Sequence, residues 1–195
     1  MKIKIGVMGS AQGPSIENQE NIKKAIELGA HIAKKGCILV SGACPGLPDE
    51  AAFGAHQSGG FVLGISPAFS EEEHVESYKS PRGNYDVIIY SGLGLMERDI
   101  LNIRSADAII LVGGGIGTLN EFTVAYDEGK VVGVLEGSGG VANHINEVLK
   151  ICDREAGPRL VFHADPATLI EKVLETLKSH PNPVQEDARI VNGEG

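Results

Sequence analysis

The chain has 195 residues, a length that suits one domain with a substantial core. Its 26 glycines and low aromatic content (5%) argue against a helical bundle and favour an α/β protein with many tight turns. A formal net charge of −9 and a pI near 5.1 argue against nucleic acids and anionic membranes as main partners.

The sequence carries no pattern typical of secretion or membrane insertion. No apolar run reaches the length of about 18 residues that a membrane helix needs, and Met1–Met8 is a short strand-like run. The cysteines at 37, 44 and 152 are odd in number and widely spaced, so they indicate neither a disulfide framework nor a metal site. We therefore expect a reducing, cytoplasmic environment.

Short apolar runs alternate with helical patterns along the chain. The predicted strands are Lys2–Met8, Cys37–Val40, Phe61–Ile65, Asp86–Tyr90, Asp107–Val112, Val131–Leu135 and Leu160–Phe162. The predicted helices are Glu17–Lys35, Leu47–Ser58, Gly94–Arg104, Thr118–Glu128, Val141–Lys150 and Pro166–Ser179. The segment Ser66–Asn84 is predicted to be irregular, and a loop of that length in a compact domain is usually functional or mobile.

This alternation predicts an α/β fold, a single Rossmann-like doubly wound domain over residues 1–180. Its sheet should be mostly parallel, with helices on both faces. Residues 181–195 should form a poorly ordered tail. In such folds, ligands bind beyond the carboxyl ends of the strands, where the strand order reverses. The small residues Gly9, Ser10, Gly42 and Gly46 follow strands and should line a nucleotide-sized crevice at that edge.

The most informative stretch is the glycine-rich turn after the fifth predicted strand. It runs from Gly113 to Gly117 and leads directly into a helix. Free N–H groups at a helix N-terminus bind anions, and glycines allow a phosphate to approach the backbone. The turn is neither a Walker A loop nor a G-x-G-x-x-G motif. We expect it to bind a phosphate through residues Gly114, Gly115, Ile116, Gly117 and Thr118.

Three stretches resemble the LOG-like family, formerly called lysine-decarboxylase-like. Its hallmark, PGGxGTxxE, is matched by residues 114–121, with Gly113 in place of the proline. Glu97-Arg98 matches the Glu-Arg of a HERK segment, whose Lys is Asp99 here and whose His is Met96. A turn similar to the family's GGGxxGLM follows the second strand at 41–48. The resemblance covers about residues 1–178.

The resemblance implies a function. Enzymes of this family cleave the N-glycosidic bond of nucleoside 5′-monophosphates, releasing the base and ribose 5-phosphate, whereas other members bind nucleotides or molybdenum cofactor. It implies catalytic roles for Arg98 and Glu121, because a carboxylate stabilises the positive charge that develops on the ribose. Asp99 places an anion where the family has a cation. Family members also pair as dimers through helices near the site, so we expect at least a homodimer.

Several alternatives stay open at this stage. Thr118-x-x-Glu121 is also a capping-box pattern, and Arg98 could be a surface residue paired along its helix. The chain could be a non-catalytic nucleotide or molybdenum-cofactor carrier. It could also be a dinucleotide oxidoreductase, with Glu136 near the spacing of a ribose-binding acid. The sequence predicts no bound cofactor and, with no H-E-x-x-H among its six histidines, no metal site.

Overall fold

The computed structural model describes residues 1–183, in which seven strands form one sheet. The strands are β1 (Lys4–Gly9), β2 (Ile38–Ser41), β3 (Phe61–Ser66), β4 (Val87–Tyr90), β5 (Ala108–Val112), β6 (Val131–Leu135) and β7 (Leu160–His163). Their spatial order is β4-β3-β2-β1-β5-β6-β7, and each adjacent pair is parallel. The predicted Rossmann-like fold is therefore confirmed.

Helices connect these strands. They are α1 (Pro14–Glu17), α2 (Gln19–Lys34), α3 (Leu47–Gln57), α4 (Glu71–Glu76), α5 (Gly94–Ser105), α6 (Ile116–Asp127), α7 (Ile145–Ile151) and α8 (Pro166–Ser179), with a 3₁₀ turn at Gly140–His144. Helices α2, α3 and α8 cover one face of the sheet. Helices α5, α6 and α7 cover the other face. None of the helices among residues 1–183 is long and apolar enough to cross a membrane.

The core lies on both sides of the central strands, which explains their composition. Ile5 and Val7 of β1 pack with α2 and α3, whereas Met8 faces α5 and α6. All five residues of β5 are buried, as expected for a parallel strand covered on both faces. The apolar runs of the sequence are therefore central strands, and the polar groups between them collect at the strand ends.

Strand order reverses between β1 and β5. The chain winds from β1 outward to β4, then returns to the other side of β1 with β5 and continues outward to β7. Gly9 of β1 pairs with Val112 of β5, so both strands end at the same level. Crossovers on opposite sides leave a crevice at this point, which is where doubly wound folds bind ligands.

Some predicted elements have different bounds. The segment Ser66–Asn84 is not wholly irregular, because α4 forms within it. The Ser70 hydroxyl accepts a hydrogen bond from the Glu73 N–H, and the Glu73 carboxylate accepts one from the N–H of Phe69. Reciprocal capping of this kind is typical of S-x-x-E at a helix start and stabilises this short helix.

Two other predicted helices are divided. The predicted helix Glu17–Lys35 breaks at Asn18, whose side chain caps α2 by accepting from the N–H groups of Glu20 and Asn21. The predicted helix Val141–Lys150 begins with 3₁₀ geometry before α7. The tail predicted at 181–195 lies almost entirely outside the described residues.

Candidate functional site

A cavity of about 680 Å³ opens at the carboxyl ends of β1, β2 and β5. Drug-sized ligands and nucleotides occupy cavities of about 300–1,000 Å³, so the volume is suitable. Among the predicted site residues, the following line it: Gly9, Ser10, Gly42, Arg98, Gly115, Ile116, Gly117, Thr118 and Glu121. Gly46 and Gly114 do not line it, and neither does Glu136, the acid considered for ribose binding.

The glycine turn presents the start of α6 to this cavity. The first helical hydrogen bond runs from the Leu119 N–H to the Gly115 carbonyl. The N–H groups of Ile116, Gly117 and Thr118 precede it, so no carbonyl of the helix can accept from them. A Cβ placed on Gly115 or Gly117 meets no atom within 4 Å, so the space above this turn is open. An anion can therefore approach the positive end of the helix dipole.

Two serine hydroxyls fix the glycine turn by accepting hydrogen bonds from its N–H groups. The Ser10 hydroxyl accepts the Gly114 N–H at 2.6 Å, and the Ser138 hydroxyl accepts the Gly113 N–H at 2.8 Å. The Ser138 hydroxyl in turn donates to the Leu135 carbonyl at 2.6 Å. These two N–H groups are therefore already satisfied within the protein. Gly114 consequently shapes the anion site without contributing a donor to it.

Gly46 has a similar supporting role behind the cavity wall. It precedes α3 with φ of 95°, a conformation that favours glycine, and an added Cβ would lie 2.2 Å from the Ser10 carbonyl oxygen. That carbonyl accepts the N–H of Leu47 at 2.9 Å. The turn after β2 is thereby attached to the turn after β1. The sequence correctly grouped these glycines at one edge but could not separate lining residues from supporting ones.

Arg98 is buried, with only 5% of its surface exposed. The alternative of a surface arginine is therefore wrong. Its guanidinium lies over the turn after β2, with Nη2 3.6 Å from the Cys44 sulfur. Within residues 1–183 the Arg98 Nε atom has no hydrogen-bond partner. A buried guanidinium that lines an open cavity is suited to bind an anionic or carbonyl group of a ligand.

Glu121 and Asp99 are the two buried carboxyl groups of the cavity, with 7% and 5% of their surfaces exposed. Burial, and then the charge of Asp99, raise the pKa of Glu121 to about 8, against the opposing effects of Arg98 and Asn102. Burial also raises the pKa of Asp99, which a hydrogen bond from Asn120 and the charge of Arg98 oppose. Burial therefore favours the protonated form of Glu121 over the ionised form.

The capping interpretation of Glu121 is wrong. Helix α6 begins at Ile116, with Gly115 at the N-cap, and within the described chain no side chain caps it. Thr118 is consequently the third residue of the helix, and Glu121 lies well inside it. The glycine turn enters the helix two residues earlier than the apolar pattern indicated. With capping removed, Glu121 has no structural role that explains a buried carboxyl at this place.

Sequence reasoning missed several lining residues. Tyr78 and Ser80, from the loop after α4, form part of the wall together with Leu95 and Met96 of α5. Asp99 was noted as a departure from a motif but not as a member of the site. Its burial had one signal, which was its position beside Arg98 on the same helix turn. The Tyr78 and Ser80 positions had only the length of their loop as a signal, which indicated function for the segment but for no particular residue.

Other candidate sites carry less chemistry. A groove of about 620 Å³ lies between α6 and α7, away from the strand ends, and is lined mainly by residues such as Phe122, Val148 and Leu149. It includes no glycine turn and no buried charge. Within residues 1–183 no cluster of three His, Cys, Asp or Glu side chains is arranged to hold a metal ion. The three cysteines, all in this range, are free thiols.

The fold and the cavity together define a doubly wound α/β protein with an anion site and a buried carboxyl pair at its switch point. The model of the SLOG cluster4 family matches residues 2–170, and the chain belongs to this family. The resemblance to LOG-like proteins that the glycine motif indicated is thereby confirmed.

Individual relatives agree with this assignment. An uncharacterised protein of Archaeoglobus fulgidus is 32% identical over 134 residues, which cover 69% of this chain and 80% of that protein. The rice cytokinin riboside 5′-monophosphate phosphoribohydrolase LOG is 32% identical over 114 residues, covering 58% of this chain and 43% of the rice protein. The solved structure of the molybdenum cofactor carrier protein of Chlamydomonas reinhardtii has a TM-score of 0.71 and 31% identity, covering 91% of this chain and 99% of that one.

Proposed function

We propose that the chain binds a nucleoside 5′-monophosphate, with the phosphate at residues 115–118. The observation that carries this proposal is the start of α6, where unused N–H groups face an open cavity of nucleotide size. Arg98 and Glu121 line the same cavity, within which a ribose and base would extend away from the phosphate. Ser10 and Gly9 would lie against the ligand from β1.

We propose further that the bound nucleotide is hydrolysed at its N-glycosidic bond, to a free base and ribose 5-phosphate. Departure of the base leaves positive charge on the ribose and negative charge on the base. A carboxyl group can protonate the base or assist the water, and a guanidinium can stabilise an anionic group. Glu121 and Arg98 would fill these roles. The name of the rice relative supports this reaction class.

The alternative is a carrier that binds a phosphorylated ligand without changing it. Asp99 favours it, because an anion beside Arg98 weakens the attraction of that helix for phosphate. Similarity to the Chlamydomonas carrier extends over almost all of both chains and supports it equally. In this case the ligand would be a phosphorylated cofactor such as molybdenum cofactor, held at the same helix start.

One experiment separates the two functions. The purified full chain is incubated with AMP, CMP, GMP and UMP, and free base is measured by chromatography, while calorimetry measures the affinity of each nucleotide. Release of base that Glu121→Gln abolishes supports the hydrolase. Nucleotide binding without release supports the carrier. No binding of any monophosphate, with the protein folded, rejects a nucleotide as the ligand.

We also propose that the protein forms at least a homodimer, through α5. This helix exposes Leu93 at its N-cap and then Leu95, Ile100 and Leu101, and the exposed Ile116 of α6 is also apolar. Several exposed apolar side chains on one helix beside a site are typical of protein–protein contacts. In sedimentation analysis Ile100→Glu should reduce the mass to that of a monomer. Ile151→Glu, at an exposed apolar position on α7, is the control. We retain the cytoplasm as the expected compartment.

A further inference from the structure

Among residues 1–183, the cavity is lined by two buried carboxyl groups but by only one buried cation. Arg98 and Asp99 are neighbours on α5, with 3.9 Å between Arg98 Nη2 and Asp99 Oδ1. Asn120 of α6 donates to the other oxygen of Asp99 at 3.1 Å. Glu121 follows Asn120 in the chain and lines the same cavity. Two ionised carboxylates here would leave one negative charge unbalanced in a largely desolvated place.

The groups facing Glu121 do little to compensate that negative charge. They are Arg98, Asp99 and Asn102 from α5, and Cys44 from the turn after β2. Burial raises the pKa of the Cys44 thiol, so it stays neutral and adds no charge of either sign. Arg98 must therefore serve both carboxyl groups. Paired carboxyls that share limited compensation retain one proton between them.

The hydrogen bonds indicate which carboxyl holds that proton. Asp99 has a donor on one oxygen, from Asn120, and a guanidinium near the other. Donors of both kinds favour an ionised carboxylate. Glu121 has Arg98 and Asn102 nearby, but their effects on its pKa are smaller than those of burial and of the charge of Asp99, which disfavours a second anion. The Asn102 amide nitrogen is directed to the Met8 sulfur. The negative charge thus belongs to Asp99 and the proton to Glu121.

We propose that Asp99 is a positioning residue that keeps a proton on Glu121, so that Glu121 meets the ligand as a neutral carboxylic acid. In the reaction, which rests on the hydrolase proposed above, the C1′–N bond breaks and its electron pair goes to the base nitrogen. The Glu121 O–H supplies the proton that this nitrogen takes up. Water adds to C1′ and returns a proton to the Glu121 carboxylate, which restores the starting state.

The test is a carboxyl titration by ¹³C NMR on the full chain labelled at Asp and Glu, between about pH 5 and pH 9. We expect one glutamate signal to titrate well above the ordinary range and to be absent from Glu121→Gln. In Asp99→Asn its midpoint should fall by at least about one pH unit, a tenfold loss of proton affinity. Glu97→Gln removes one charge at an exposed position of α5 and should leave the midpoint unchanged.

Several outcomes overturn the proposal. An ordinary midpoint for Glu121 in the wild type rejects it without any variant. If Asp99→Asn does not fold, Asp99→Ser removes the same charge, and the same fall in the midpoint is expected. An unchanged midpoint in folded Asp99→Asn also rejects it. If the chain hydrolyses nucleotides, the alkaline limb of kcat/KM should shift to lower pH in Asp99→Asn, whereas a purely structural role changes only its height. If no nucleotide is hydrolysed, the proposed function fails, and the titration still decides the carboxyl pair.

Discussion

The guanidinium of Arg98 occupies the space that a side chain at Gly42 would fill. A Cβ on Gly42 would lie 1.8 Å from Nη1 and 2.8 Å from Cζ of Arg98. Gly42 has no positive φ, so its backbone conformation does not require glycine. Glycine is needed there because a side chain would collide with Arg98. The turn after β2 therefore determines where the one buried cation of the described cavity can lie.

Gly42→Ala should displace Arg98 while preserving the fold. The atoms that clash belong to the far end of a long side chain, which can move at little cost, so the free energy of unfolding should change by less than about 1 kcal/mol. Nucleotide affinity or turnover should fall about 10- to 100-fold, on the scale of a lost charged hydrogen bond. Calorimetry and urea unfolding on the same samples measure both effects. Equal losses of stability and affinity would contradict the prediction.

Gly115→Val should abolish nucleotide binding and leave the fold intact. An added side chain at 115 meets no protein atom within 4 Å, and φ of −120° is outside the left-handed region that favours glycine, so the branched side chain would occupy only the anion's place. Gly157→Val, at a glycine that is equally open and remote from the cavity, is the matched control. Unchanged affinity by calorimetry would remove this turn from the site.

Gly113→Pro would restore the motif typical of the family and should nevertheless destabilise this protein. Gly113 has φ of 65°, which proline cannot adopt, and its N–H donates to the buried Ser138 hydroxyl. We expect the free energy of unfolding to fall by about 3 kcal/mol or more. Ser138→Ala removes the acceptor of this hydrogen bond, together with the donor to the Leu135 carbonyl, and should cost about 1–3 kcal/mol. A proline variant as stable as the wild type in urea would show that the turn can change conformation.

Protein stability should depend on pH through Glu121. Its pKa of about 8 lies above the value of about 4.3 in an unfolded chain, so the folded state binds the extra proton between these values. The stabilisation is complete at low pH and is lost as pH rises to about 8. Relative to Glu121→Gln, the wild type should lose up to about 1.4 kcal/mol per pH unit over that window and then level off. Urea unfolding of both proteins at several pH values measures this loss. A difference in the free energy of unfolding that stays constant with pH would contradict the prediction.

The architecture was predictable from sequence because two patterns agree. Short β-branched runs alternate with helical spacing, and this combination favours few topologies besides a doubly wound sheet. The glycine turn was predictable for the same local reason, since a strand, four glycines and a helix follow one another. The helix starts were harder to predict from capping patterns. The Ser70–Glu73 pattern marks the start of a helix, α4. The similar Thr118–Glu121 pattern marks no helix start, because α6 has already begun after Gly115.

The polarity of α5 could not be predicted from sequence. The helix exposes Leu95, Met96 and Ile100 and buries Arg98 and Asp99, the reverse of the ordinary pattern. The first half of this helix faces the cavity, whereas Ile103 near its end packs in the apolar core. The role of the serines that hold the glycine turn was equally unpredictable from sequence, because Ser10 and Gly114 are 104 positions apart. Contacts of that separation leave no local trace in composition or spacing.

The central place of β1 in the sheet has a consequence for synthesis. One of its neighbours, β2, follows soon in the chain, but the other side of β1 pairs with β5, as Ile5 does with Ala108, about 103 positions later. While the ribosome is still making the second half, the first four strands can pair but leave an apolar edge on β1 without a partner. The nascent chain is therefore most prone to wrong association just before β5 emerges. The edge of β1 that must be shielded at that stage is the one that later pairs with β5 beneath the site.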